Sequence, residues 1–192
     1  GDGSESWRSR VSSEVLAAPQ ANQQLLVVQS VDGQVTALDR ATGAERWVYT
    51  SSQPSLTLRG TGTPMVIDPV SFVGLANGRL ATLDNRSGQP LWDMQIATPR
   101  GRSEVERLVD LSGQPIISPD GRLFVTSYNG RVVALEATQG DVLWEADLSS
   151  RHTPILVGDF LFVVTDDSQV VALDSNSGRE VWRNDDLEDR WL

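Results

Sequence analysis

Cysteine is absent from the 192 residues, and His152 is the one histidine. Disulfides, thiolate metal sites and cysteine nucleophiles are thereby excluded from these residues, and histidine-cluster metal centres and most imidazole acid/base dyads lose their donors. Basic side chains are also few. Sixteen Lys and Arg against 26 Asp and Glu leave a formal net charge of −10, which repels phosphate backbones and anionic lipid surfaces, so nucleic acid is not an expected partner. No apolar run approaches the roughly 18 residues of a membrane-spanning helix, so no direct membrane insertion is expected of this segment. The opening Gly-Asp-Gly has neither the basic nor the apolar part of a signal segment, and the chain reads as mature or excised protein. The hydrophobic share of 39% together with 16 glycines is ordinary for a folded chain, and the length fits one compact unit or a regular array better than two independent domains.

Self-similarity is the strongest feature present. The segments VDGQVTALDRATGAERW (31–47), ANGRLATLDNRSGQPLW (76–92), YNGRVVALEATQGDVLW (128–144) and DDSQVVALDSNSGREVW (166–182) align without a gap. In each, a leucine (Leu38, Leu83, Leu135, Leu173) stands five residues before a glycine (Gly43, Gly88, Gly140, Gly178) and nine before a tryptophan (Trp47, Trp92, Trp144, Trp182). Gly3 and Trp7 repeat the last spacing at the start of the chain.

Asp32-Gly33, Asn77-Gly78 and Asn129-Gly130, with Asp167-Ser168 as the weakest version, are hairpin signals between two β-rich runs. The run before each turn is nearly all apolar, as in Leu161-Phe162-Val163-Val164. The run after it puts Val132 and Ala134 on one face and Val133 and Leu135 on the other, so both faces are covered. A second glycine-ended turn leads to the tryptophan strand, and a short apolar piece precedes each copy: Val15–Ala18, Pro64–Ile67, Pro115–Ile117 and Pro154–Val157. Four strands per unit and tryptophan spacings of 40, 45, 52 and 38 residues predict an all-β fold, a propeller of four-stranded antiparallel blades. A sandwich would leave one face polar, and a solenoid would have a shorter period. The expected blades are about 12–50, 61–96, 113–148 and 152–184, with 1–11 as the outer strand of a preceding blade and 185–192 as the start of a following one. Four blades could close on themselves or form part of a larger ring; the ragged ends favour the larger ring.

The Leu-Asp-x-x-x-Gly-x-x-x-Trp unit resembles the repeat of pyrroloquinoline-quinone-type propellers, a group that holds both dehydrogenases and scaffolds. The segments PSLTLRG (54–60), RSEVERLVDLSGQP (102–115) and SYNGRVVALEATQGDVLWE (127–145) resemble the scaffold-lipoprotein family of the outer-membrane β-barrel assembly machinery, over essentially the whole chain. That resemblance implies an eight-bladed periplasmic ring, of which this chain would be about half, anchored at the outer membrane through an N-terminal lipidated cysteine that these residues lack. It implies a non-enzymatic scaffold with no cofactor, which docks the periplasmic POTRA domains of the barrel-forming subunit and aids folding and insertion of outer-membrane β-barrel proteins, with unfolded barrel proteins as further partners. The family's docking residues match Leu56, Leu58, Arg59 and Asp110; the second acid of its Asp-x-Asp pair is Ser112 here.

Residues 97–115 stand out independently, because the tryptophan interval across them is the longest. Ser103 and Glu106 have capping-box spacing, with Val105, Leu108 and Val109 following at helical intervals, so a short helical turn is one reading. A solvated connector with self-paired charges, including Arg107, is the other. Leu56 and Leu58 could equally alternate into a core, and Arg59 could pair with Asp110 within the chain. The four repeat tryptophans are expected to be structural rather than quinone ligands, and His152 to be a rim residue. Asp185, Asp186, Glu188 and Asp189 lack calcium-loop spacing and read as a solvated terminus. Two other functions remain: a fragment of a quinone-dependent dehydrogenase, which would need a carboxylate and calcium constellation not evident here, and a generic ligand- or glycan-binding propeller.

Overall fold

In a computed structural model, residues 2–52, 62–99, 102–103 and 108–186 are described. Leu56, Leu58, Arg59 and Arg107, and most of the helical reading over 103–109, lie outside them. The described residues form sixteen strands and no helix. The first sheet holds β1 (Gln20–Ala21), β2 (Leu25–Gln29), β3 (Gln34–Asp39) and β4 (Glu45–Thr50); the second holds β5 (Met65–Val66), β6 (Val70–Gly74), β7 (Arg79–Asp84) and β8 (Pro90–Gln95). The third holds β9 (Ile116–Ile117), β10 (Arg122–Thr126), β11 (Val132–Glu136) and β12 (Val142–Ala146); the fourth holds β13 (Ile155–Val157), β14 (Phe160–Val164), β15 (Val170–Asp174) and β16 (Glu180–Asn184). Each sheet is an antiparallel meander in chain order.

Sidedness sets how the sheets stack. On β10 and β11, Leu123, Val125, Val133 and Leu135 pack back onto Phe72, Leu80 and Ile96 of the second repeat. Phe124, Val132, Ala134 and Trp144 pack forward onto Leu161, Val163, Val171 and Leu173 of the fourth sheet. The first and second sheets meet the same way, through Val27, Ala37 and Trp47 against Val73, Ala81 and Leu83. Because strand side chains alternate between faces, a strand between two neighbours must be apolar on both. This is the propeller expected from the repeat. The first strands β1 and β5 approach each other across the sheet boundary, and Asn22 donates to Asp68 Oδ1 at 2.8 Å beside them.

The repeat motif closes each seam. Asp39, Asp84 and Asp174 each accept hydrogen bonds from the backbone N–H groups two and three residues on and from the hydroxyl at the third position. These bonds hold the three carboxyls below the usual aspartate range, the Thr42, Ser87 and Ser177 hydroxyls contributing most. The turn that results delivers its glycine to the tryptophan of the preceding sheet. A β-carbon on Gly88 would stand 2.7 Å from the Trp47 ring, and one on Gly140 2.8 Å from Trp92. Both glycines also hold left-handed φ angles of 70° and 81°, so two separate constraints demand glycine there.

One expectation is corrected. The first strand of the first sheet is Gln20–Ala21 rather than Val15–Ala18: Gln20 pairs with Val27 as Met65 pairs with Phe72. Each first strand starts right after a proline (Pro19, Pro64, Pro115, Pro154), so the proline marked the position and the more apolar run upstream did not. Residues 2–11 have no strand partner among the described residues. They lie against the first sheet as Trp47 lies against the second: Trp7 Nε1 donates to Arg40 O at 3.0 Å, its ring stacks on Gly43, and Ser9 Oγ donates to Gly43 O.

Candidate partner-docking site

In each sheet the turn between the second and third strands and the connector that leaves the fourth strand emerge on one rim, because the fourth strand runs antiparallel to the third. Ser51 N donates to Gly33 O at 3.3 Å, Ile96 N to Gly78 O at 2.9 Å and Ser150 N to Ser127 O at 3.0 Å. The second residue of each turn then receives the connector from the preceding side: Val31 N donates to Glu14 O at 2.9 Å, Tyr128 N to Asp110 O at 2.9 Å and Asp166 N to Ser149 O at 3.0 Å. The rim is thus a stitched surface rather than a set of separate loops. The third turn differs from the others: its left-handed residue is Asn129 (φ 50°), one position earlier in the repeat than Gly33, Gly78 and Ser168 in the other three. Asn129 Nδ2 is engaged there by Leu108 O at 2.9 Å.

Residues 108–114 cross three sheets. Leu111 is fully buried, and β-carbons built on Gly62 and Gly74 would each stand 2.5 Å from its carbonyl oxygen. Gln114 Nε2 donates to Pro64 O at 2.8 Å, while Gln114 N donates to Thr153 Oγ1 at 2.9 Å. Gly62, the first described residue after 53–61, packs on Leu111, the residue next to Asp110.

Asp110 is only 2% exposed. Burial pushes its carboxyl above the usual range, against the hydrogen bonds from Ser112 and the Leu111 backbone. Ser112 Oγ donates to Asp110 Oδ2 at 2.6 Å, so the residue that replaces the family's second acid holds the first acid in place. A cleft of about 370 Å³ opens beside Asn129, lined by Ala97, Thr98, Arg131, Glu145 and Asp147 among others. A second, of about 410 Å³, lies on the opposite rim between Asn22, Arg46, Asp68 and Arg86. His152 is exposed on the connector rim, where its carbonyl accepts from Thr126 Oγ1 at 2.7 Å. Among the described residues, no three His, Asp or Glu side chains converge as a metal site would require.

The family model for outer membrane protein assembly factor BamB matches residues 1–184. The chain belongs to the BamB family. The Vibrio cholerae BamB is 36% identical over 140 residues, which are 73% of this chain and 36% of that protein. The Shewanella oneidensis BamB is 35% identical over 161 residues, 84% of this chain and 40% of that protein. The chain therefore spans about two fifths of the length of the curated relatives that it matches. The crystal structure of BamB from Moraxella catarrhalis superposes with a TM-score of 0.92 at 28% identity, covering 98% of this chain and 57% of that one. A quinohemoprotein alcohol dehydrogenase from Comamonas testosteroni superposes with a TM-score of 0.75 at 16% identity, a likeness that shows the propeller fold alone.

Sequence reasoning missed Leu111, Gln114 and Arg151 as rim residues. A signal existed for Leu111: it is an apolar side chain inside a charged connector. Gln114 and Arg151 gave none, since their partners are backbone atoms or lie on a different blade.

Proposed function

We propose that the protein is a non-enzymatic scaffold of the outer-membrane protein assembly machinery. Its connector rim docks the periplasmic POTRA domains of the barrel-forming subunit and so aids folding and insertion of outer-membrane β-barrel proteins. Leu56 and Leu58 supply the apolar anchor, Arg59 a fork of donors for a carboxylate or carbonyl, and Asp110, held by Ser112, the acid that orients it. Arg107 lies on the same connector. The family match over residues 1–184 carries this reading, and the packing of Gly62 on Leu111, next to Asp110, supports it. The implied location is the periplasmic side of the outer membrane, with a lipid anchor outside these residues. Saturable binding of the barrel-forming subunit's isolated periplasmic domains by calorimetry is the expected result; absence of binding at protein concentrations of about 100 μM would contradict it. Stoichiometric quenching of tryptophan fluorescence by pyrroloquinoline quinone would favour the dehydrogenase reading instead.

A further inference from the structure

We propose that Arg151, stacked on Tyr128, is a second anchor of the docking rim and receives a carboxylate side chain of the partner's periplasmic domain. The proposal rests on the docking function above and extends the patch by one sheet. Position is the first argument. Tyr128 N donates to Asp110 O, so the Tyr128–Arg151 pair begins one backbone hydrogen bond away from Asp110 and Ser112.

Preorganisation is the second. The Arg151 guanidinium carbon lies 5.0 Å from the centroid of the Tyr128 ring. Its Nε donates to Asp166 Oδ1 at 2.9 Å, its backbone N–H reaches the same oxygen at 3.3 Å, and Ser149 Oγ donates to Asp166 Oδ2. The guanidinium is thus held against one ring and at one nitrogen, and the carboxylate that holds it is itself fixed. The side chain is nevertheless 54% exposed, and its two Nη groups donate to nothing among the described residues. An arginine fixed in this way has already given up the side-chain freedom that binding ordinarily costs, and its open fork matches a carboxylate bidentately.

Comparison with two other arginines of this rim, Arg79 and Arg131, sets Arg151 apart. Arg79 spends its donors on Asp93 and Gln95, and Arg131 spends its donors on Glu145 and the Ile96 carbonyl. Both are occupied by their own sheet. In a chain of net charge −10, a fixed open cation contributes register and partner choice rather than bulk attraction.

Calorimetry of the protein with the barrel-forming subunit's periplasmic domains, over a series of salt concentrations, tests this. Arg151→Ala should weaken binding by about tenfold or more and flatten the salt dependence, as loss of an interfacial arginine anchor does. Arg151→Lys should recover only part of the affinity, because a point charge cannot replace the fork. Arg46→Ala, on the opposite rim, should bind as wild type, and all three variants should melt with wild-type profiles. Wild-type affinity for Arg151→Ala, with Leu58→Ala still weakened, overturns this inference and leaves the docking function standing. A melting temperature for Arg151→Ala lowered enough to account for the lost binding assigns the residue to structure and overturns it as well. No binding by the wild-type protein removes both.

Discussion

At the seam between the first and second sheets and at that between the third and fourth, the tryptophan is locked from both sides. Trp47 and Trp144 are 6% and 8% exposed, and their indole N–H groups donate to Asn85 O at 2.8 Å and Ser175 O at 2.9 Å in the next repeat. At the seam between the second and third sheets, Trp92 Nε1 is buried without an acceptor among the described residues, and so is the hydroxyl of Thr82, directly across the strand. The turn facing it is built on Glu136 instead of aspartate. Its longer side chain caps Thr138 N with both oxygens at 3.0 Å. What this seam has instead is the long connector, whose Ile96 and Leu111 fill the core between the two sheets. One repeat therefore closes in two ways, by an indole hydrogen bond or by an inserted connector. The inserted connector also carries Asp110 and Ser112 of the proposed docking patch.

This difference can be broken from either side. Trp144→Ala should have the largest effect, about 3–5 kcal/mol of destabilisation, because it empties a buried site and strands the Ser175 carbonyl. A denaturation midpoint equal to wild type would contradict the lock. Leu111→Ala should cost about 2–5 kcal/mol and should also weaken partner binding, since the same segment holds Asp110; loss of stability with unchanged binding would separate wedge from docking surface. The indole hydrogen bond is isolated by a pair. Trp47→Phe should cost about 1–3 kcal/mol more than Trp92→Phe, because only the first leaves a carbonyl unpaired while the second removes an N–H that has no acceptor among the described residues. Equal costs in urea denaturation would mean that the seams do not differ.

The smallest effect concerns pH. Burial raises the Asp110 pKa in the folded state above its ordinary 3.8, so the ionised carboxyl opposes folding at neutral pH, and that cost disappears as pH falls through the folded value and below the unfolded one. The turn carboxyls Asp39, Asp84 and Asp174 behave oppositely: their lowered values give stability present above the unfolded value and lost as pH falls through the folded ones. Asp110→Asn should therefore be most favourable relative to wild type near neutral pH, with the advantage shrinking toward pH ~4. An advantage that grows on acidification would reverse the sign.

The chain's periodicity made the sheets legible, because a turn that must hold a capping acid, a left-handed glycine and a tryptophan platform leaves little freedom at three positions per repeat. The first strand of the first sheet was misplaced because Val15–Ala18 is apolar, whereas Gln20–Ala21 forms its strand by pairing with β2. The stitching of the rim was not legible at all. Tyr128 N to Asp110 O and Gln114 Nε2 to Pro64 O are bonds to backbone carbonyls, which every residue type offers. Ser112 was legible as a substitution but not as the donor that holds Asp110.

The docking function turns on one comparison, the affinity of wild type, Leu58→Ala and Arg59→Ala for the barrel-forming subunit's periplasmic domains, each variant first shown to be folded by its circular dichroism. A loss of about 2 kcal/mol for each variant with unchanged melting is the expected result, as for central interface residues. Wild-type affinity in both folded variants would contradict the placement of the docking surface on this rim.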